Sequence, residues 1–309
     1  MDMKNVKNAR CANYIQIDNI VRQIQATKEI IILPSKQAFE KYNWTRKYFI
    51  EKPQEGYFVW VKGKINFPLI ICISICEKKI SQNLSNLIIV EDGLKIKLNG
   101  ICNALNNNLS GIHKSVGKII LKQNAILEYQ HTHKWGKDDF VKTNYDFILE
   151  KNANLIYNYK NLFSPKKSFL NSNIFCNEKS SANLNIALNA IDSKIQIQDN
   201  IFLKKKQSKG IIRFRFVGRK NSSIKSISKI IAEESCKGHL DCQGLVLDKN
   251  TIIDLVPQLI NKNKDAILTH EASVGKIADE QINYLRCKGL TETQAIDLIV
   301  GGFFKKIML

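Results

Sequence analysis

A chain of 309 residues can bury a large core, so one big domain or two moderate ones are expected. The net charge of +19 raises nucleic acid as a partner. Only seven of the 47 basic residues are arginine, however, and the lysines are spread among asparagines and isoleucines, which favours a solvated basic surface over a phosphate-reading one. The eight cysteines (11, 72, 76, 102, 176, 236, 242 and 287) follow no disulfide spacing. The stretch Met1 to Arg10 is polar and basic, unlike a secretory leader, and the longest apolar run, Phe67 to Cys76, is too short for a bilayer. The expectation is a cytoplasmic protein with free thiols and no membrane segment.

In chain order, residues 1 to about 50 read as helical, with Ile15, Ile20, Val21 and Ile24 followed by the aromatic cluster Phe39, Tyr42, Trp44, Tyr48 and Phe49. From Tyr57 the texture changes to short, β-branched, often alternating runs punctuated by Asn, Gly and Asp, such as FVWVKGKI and NLIIVEDGLKIKLNGI. A small-residue turn followed by an apolar pair recurs at Asn124-Ala125, Asn152-Ala153, Ser181-Ala182 and Asn250-Thr251, at first with near-regular spacing. Turn-strand units at such intervals suggest a β-helix, in which each coil buries its apolar face against the next. A jelly roll or sandwich with the same strand count is the competitor.

Strand texture stops at Thr269. Val274 to Lys288 then reads as a helix closed by Gly289, and Thr291 to Gln294 is a capping box that launches the apolar stripe Ala295, Ile296, Leu298, Ile299, Val300 and Phe303. The expected organisation is an N-terminal helical region over 1–56, a β-helix core over 57–268 and a C-terminal helical hairpin within 269–309.

Candidate ligands concentrate between Cys236 and Glu271. Cys236, His239 and Cys242 have a C-x2-H-x2-C spacing. On an unbroken strand the two cysteines point the same way about 20 Å apart while the histidine faces away, so one ion cannot hold all three. Taken alone, each of these cysteines reads as a small buried hydrophobe. His270-Glu271 reads either as a carboxylate at a helix start or as N/O ligands completing a thiolate site. His131 and His133 share one strand face, where a surface or dimer-edge role is favoured over metal binding. GIHKSVGK, Gly111 to Lys118, has the wrong glycine spacing and Ile119 in place of Ser or Thr, so it is rejected as a phosphate loop.

The run from Lys237 to Phe303, KGHLDCQGLVLDKNTIIDLVPQLINKNKDAILTHEASVGKIADEQINYLRCKGLTETQAIDLIVGGF, closely resembles the C-terminal core of the SufB/SufD family of iron–sulfur cluster assembly proteins. Weaker echoes lie in Gly111 to Trp135 and Asn154 to Leu162. The resemblance implies a mainly β protein, a right-handed parallel β-helix flanked by helices. It implies pairing back to back into a homodimer and docking of a SufC-type ABC ATPase on the terminal hairpin, here Gly289 to Phe303. A cysteine at Cys242 with a His-Glu pair at His270-Glu271 is similar to the SufB branch and differs from SufD, and the short N-terminal region suggests a minimal system of one B-type chain with two SufC subunits. By resemblance Cys242, Glu271 and His270 are metal ligands of a transient iron–sulfur cluster of unknown type. Cys236 is a further cofactor-binding candidate. The family's sulfur-entry cysteine has no aligned position, and Cys176 stands in only as a guess. The protein is then a scaffold passing clusters to apo recipient proteins, with ATPase activity in its partner. The alternatives are a SufD-like structural partner that binds no cluster and, further off, a basic nucleic-acid-binding solenoid.

Overall fold

Runs of about ten residues with alternating apolar side chains have one face to bury, and a chain that turns a corner after each can stack every such face on the preceding coil. The computed structural model describes residues 11–307, and the reading of Met1 to Arg10 lies outside them. In chain order the strands are β1 Ala12–Ile17, β2 Ile20–Gln25, β3 Ile30–Pro34, β4 Tyr57–Val61, β5 Leu69–Ile75, β6 Ser81–Val90, β7 Lys95–Ala104, β8 Ile112–Leu121, β9 Ile126–Lys134 and β10 Phe140–Leu149. They continue as β11 Asn154–Phe163, β12 Lys167–Cys176, β13 Ser181–Ile191, β14 Lys194–Leu203, β15 Lys209–Arg219, β16 Ser223–Ala232, β17 Lys237–Val246, β18 Ile252–Asn261 and β19 Ile267–Lys276. The helices are α1 Ser35–Lys41, a 3-10 turn Asn43–Tyr48, α2 Asp279–Cys287 and α3 Glu292–Lys305.

From β4 onward successive strands alternate between two sheets, ten strands in the order β19-β17-β15-β13-β11-β9-β7-β5-β1-β2 and nine in the order β18-β16-β14-β12-β10-β8-β6-β4-β3. From β4 onward every neighbouring pair is parallel: Ile126 lies beside Asn154, Asn154 beside Ser181, Ser181 beside Lys209, and Lys209 beside Lys237. The fold is therefore the parallel β-helix, and the sandwich alternative falls. One corner of the coil is set by residues at positive φ, Asn124, Asn152, Lys179 and Gln207, each followed by a small buried residue. Asparagine tolerates that backbone best, and Asn152 donates to the Asn124 Oδ1 one coil away at 2.9 Å. Asn250-Thr251 belongs to a different corner, between β17 and β18, which is why the apparent repeat loses its interval there.

Two expected boundaries move. Residues 12–34 form strands, because Asp18 at φ 53 reverses the chain between β1 and β2, and Ala12 and Tyr14 point into the core on a period of two. Helix is confined to 35–48, where the aromatic cluster packs on Phe58, Leu87, Ile89 and Ile120. At the other end the strand texture runs on through β19 to Lys276, so His270-Glu271 lies inside a strand and not at a helix start. Gly289 at φ +92 separates α2 from α3. The capping box is formed, with Gln294 N–H donating to Thr291 Oγ1 at 3.3 Å and Thr291 N–H to Gln294 Oε1 at 2.9 Å. The apolar stripe of α3 divides: Val300 and Phe304 pack with Ile296 and Phe303 on Ala187, Val217 and Leu245 of the odd-strand sheet, whereas Leu298 stays exposed.

The rejected phosphate loop has a packing explanation. Gly117 on β8 is in register with Tyr145, and a Cβ there would lie 2.3 Å from the tyrosine ring. The ring is held by its hydroxyl, 2.7 Å from both Ser115 Oγ and Asn86 Nδ2, so it has nowhere to retreat. Gly117→Ala is expected to cost about 1–3 kcal/mol, the usual penalty of overpacking, read as a lower denaturation midpoint. An unchanged midpoint would show that the Tyr145 network yields freely.

Candidate metal centre

The open end of the solenoid carries the residues singled out in the sequence. β17 is unbroken, so its alternation separates them as strand geometry dictates: Cys242 is buried, while His239 faces outward and shares a 2.8 Å hydrogen bond with Thr269. Cys236 occupies the small buried corner position held by Ala125, Ala153, Ser180 and Ser208 in earlier coils, with its thiol donating to the Glu234 carbonyl at 2.9 Å. Cys176 is fully buried at the end of β12.

On β19, His270 pairs with Leu240 and Glu271 with Asp241. Leu240 and Cys242 point inward, so His270 stands on the inner side of the sheet one coil above them, exposed because no coil follows. Glu271 stands on the outer side. The structure therefore brings Cys242 and His270 to one face and puts Glu271 on the other. Burial, reinforced by the Asp241 carboxylate, pushes the Cys242 thiol up to about 12, so it is a neutral thiol until a cation replaces its proton.

The outer side has its own organisation. Arg215 on β15 grips Asp241 in bidentate fashion, Nη1 to Oδ1 at 2.9 Å and Nη2 to Oδ2 at 2.8 Å, and its guanidinium lies 5.8 Å from the centre of the Phe303 ring on α3. A line of contacts thus runs from α3 through Phe303, Arg215 and Asp241 to the strand beside Glu271.

A second cluster lies deep inside, where sequence reasoning did not place one. His131 and His133 are buried, not on a surface or dimer edge. Their Nε2 atoms are 3.0 Å apart, and Cys102 Sγ on β7 is 3.6 Å from His131 Nε2. Among the described residues these three form a group whose donor atoms all lie within 4.8 Å of one another. The remaining ring nitrogens are engaged as well, His131 Nδ1 with the Tyr157 hydroxyl and His133 Nδ1 with the Tyr159 hydroxyl, each at 2.9 Å. Desolvation pushes His131 down to about 3 and His133 well below its ordinary range, with neighbouring histidines adding to both, so the imidazoles are neutral. The signal was present in the sequence: Leu127 and Tyr129 share the parity of His131 and His133, which marks that face as the inner one. Cys102 comes alongside only through the coil register, which sets it beside His133.

Fold and site together define a parallel β-solenoid that brings thiol and imidazole side chains together and carries a helical hairpin after its last strand. Residues 74–303 match the family model described as SUF system FeS cluster assembly, SufBD core domain, so the chain belongs to the SufBD family of iron–sulfur cluster assembly proteins. Among its relatives are iron-sulfur cluster assembly SufBD family proteins of Methanothermobacter thermautotrophicus, 28% identical over 95% of this chain and 78% of the relative, and of Archaeoglobus fulgidus, 28% identical over 97% and 86%. A third, from Pyrococcus horikoshii, is 27% identical over 94% and 70%. Among the described residues no helix is long and apolar enough to cross a membrane.

Proposed function

We propose that this chain is a SufB-like scaffold that builds a nascent iron–sulfur cluster, as cargo, at the open end of its solenoid between two copies of itself. The observation carrying this reading is the uncapped last coil. A solenoid end without a polar cap exposes apolar side chains and strand edges, and here the inward-facing Ile253, Leu255, Leu259 and Leu268 of the last coil are only half-buried and Val274 is exposed, with His270 on that same inner side one coil above Cys242. A second copy covering that end would sequester the apolar rim and bring paired Cys242 and His270 groups to one interface. Glu271, on the outer side, would then act from the rim or toward the partner copy, and Cys236 keeps a corner-packing role. Thiolate with imidazole or carboxylate ligands suits iron that must later be released to recipient proteins.

The exposed side of the α2–α3 hairpin, with Tyr284 and Leu298, is the docking face for a SufC-type ABC ATPase over Gly289 to Phe303. ATP-driven movement of the hairpin would reach β17 through Phe303, Arg215 and Asp241, a domain-closure switch acting on the cluster site. Anaerobic reconstitution with ferrous iron and sulfide tests the scaffold: wild type is expected to load a cluster and Cys242→Ala to lose most of it, read by visible absorbance and bound iron. Equal loading would remove Cys242 from the role.

The SufD-like alternative, a structural partner that binds no cluster, draws support from the Cys242 thiol being 2% exposed and packed in the core. It forecasts no loading by either protein in that experiment.

A further inference from the structure

We infer that Cys102, His131 and His133 form a mononuclear site for a divalent cation of the zinc and ferrous-iron class inside the solenoid, separate from the open end and independent of its proposed role. A tetrahedral ion with metal–nitrogen bonds of about 2.0–2.1 Å and a metal–sulfur bond of about 2.3 Å sets its nitrogens about 3.3 Å apart and sulfur from nitrogen about 3.6 Å. The protein holds the two Nε2 atoms at 3.0 Å and Sγ to Nε2 at 3.6 Å, so a few tenths of an ångström of ring movement admits the ion.

Three features distinguish this cluster from a chance meeting of side chains. The ligands come from consecutive coils, Cys102 from β7 and the histidines from β9, so a bound ion staples one coil to the next. Both histidines have their second nitrogen on a tyrosine hydroxyl of the following coil, β11, the outer-shell arrangement that fixes ring orientation at metal sites. Gly100, beside His131, makes room for that packing: a Cβ there would lie 2.8 Å from the Tyr129 hydroxyl and 3.2 Å from the His131 ring. One borderline-soft thiolate with two imidazoles suits zinc or ferrous iron and is a poor match for magnesium or calcium.

A counter-charge lies nearby. A cavity of about 40 Å³ on the histidine side of the cluster is walled by His131, His133, Tyr157, Tyr159 and Asp199, room for a water beside the imidazoles. The Asp199 carboxylate accepts from the Ser172 hydroxyl, and its Oδ2 has no hydrogen-bond partner. Binding replaces the Cys102 thiol proton, which leaves to solvent, so the site gains one net positive charge that Asp199 faces across the cavity.

The test uses the full chain, unfolded and refolded anaerobically with Co(II) or Zn(II) as probe, then passed over a chelating resin. Wild type is expected to retain one ion per chain, with the intense visible bands of tetrahedral Co(II) and a thiolate charge-transfer band. An X-ray absorption first shell of one sulfur and two imidazole nitrogens on wild type alone supports the site even if ligand variants fold poorly. Cys102→Ser is expected to lose the charge-transfer band, whereas Cys76→Ser and Cys242→Ser keep it, which separates this site from the open end. Tyr159→Phe, which preserves ring packing, is expected to weaken retention roughly 10–100-fold. The inference is overturned if wild type retains no stoichiometric ion, if its first shell lacks sulfur, or if Cys102→Ser keeps the band.

Discussion

Asp241→Ala is expected to destabilise the protein by about 3–5 kcal/mol, the cost of leaving a buried charge without its partner. The Arg215 side chain is only 6% exposed, and beyond Asp241 it has one hydrogen bond, to the Phe214 carbonyl at 2.7 Å, while its Nε has none. Removing the carboxylate strands that guanidinium between the sheet and the Phe303 ring. The adjacent Glu271 is exposed and one strand away, so partial capture of Arg215 would bring the loss toward the lower end. The measurement is a denaturation midpoint, with tryptic release of the α2–α3 hairpin as a local readout. The double variant Arg215→Met with Asp241→Leu should recover most of the loss, because an apolar pair carries no desolvation cost. A single variant as stable as wild type would show that the pair does not tie the hairpin to β17, and would also remove the proposed route from an ATPase partner to the cluster end.

Much of this architecture could be read from residue order because strand physics is local. Alternation in runs such as NLIIVEDGLKIKLNGI and the asparagine corners at 124 and 152 specify coils without knowledge of what they touch. The same alternation put Cys236 and Cys242 on one side and His239 on the other, as the structure has them. At the N-terminus the apolar residues Ile15, Ile20, Val21 and Ile24 imitate a loose helical spacing, but the reversal at Asp18 splits them between two strands of a hairpin. What stayed hidden depends on register between coils. That Cys102 lies beside His133, and that Glu271 follows Asp241 outward, are consequences of how many residues each corner consumes. The SufBD resemblance supplied the likeness of Cys242, His270 and Glu271 to a ligand set, yet only the strand pairing shows the carboxylate on the opposite face from the thiol.

The metal-free protein is expected to lose stability on acidification, by up to roughly 5 kcal/mol between pH 6 and pH 4. His113, held down at about 4 by burial alone, joins His131 at about 3 and His133 well below its ordinary range. All three are neutral in the native state until pH approaches 4, where His113 begins to take up its proton, whereas in the unfolded chain they titrate near 6.5. The unfolded state therefore binds more protons across this window, and stability that is full above pH 6.5 drains away as pH falls. Asp199 acts the other way. Burial pushes its carboxyl up to about 7, so below that value the native state holds a proton that the unfolded state gives up until about pH 4, and acidification relieves its cost. Asp139 and Glu55, whose carboxyls burial also raises, act with Asp199, so three histidines against these carboxyls leave a net uptake of at most about two protons on unfolding, a slope of up to about 2.7 kcal/mol per pH unit. Exposed carboxylates whose values are lowered by lysines, such as Glu128 with Lys95 and Lys97, add to the loss only below about pH 4.5. Denaturant midpoints taken in EDTA at steps from pH 8 to pH 4 measure the slope. His113→Gln, which can keep the contact to Gln82, should lower it by one proton, and Asp199→Asn should raise it by one. A flat profile between pH 6.5 and pH 4 would mean that the interior admits water or protons to these histidines, and that the polar core is not the sealed compartment its burial describes.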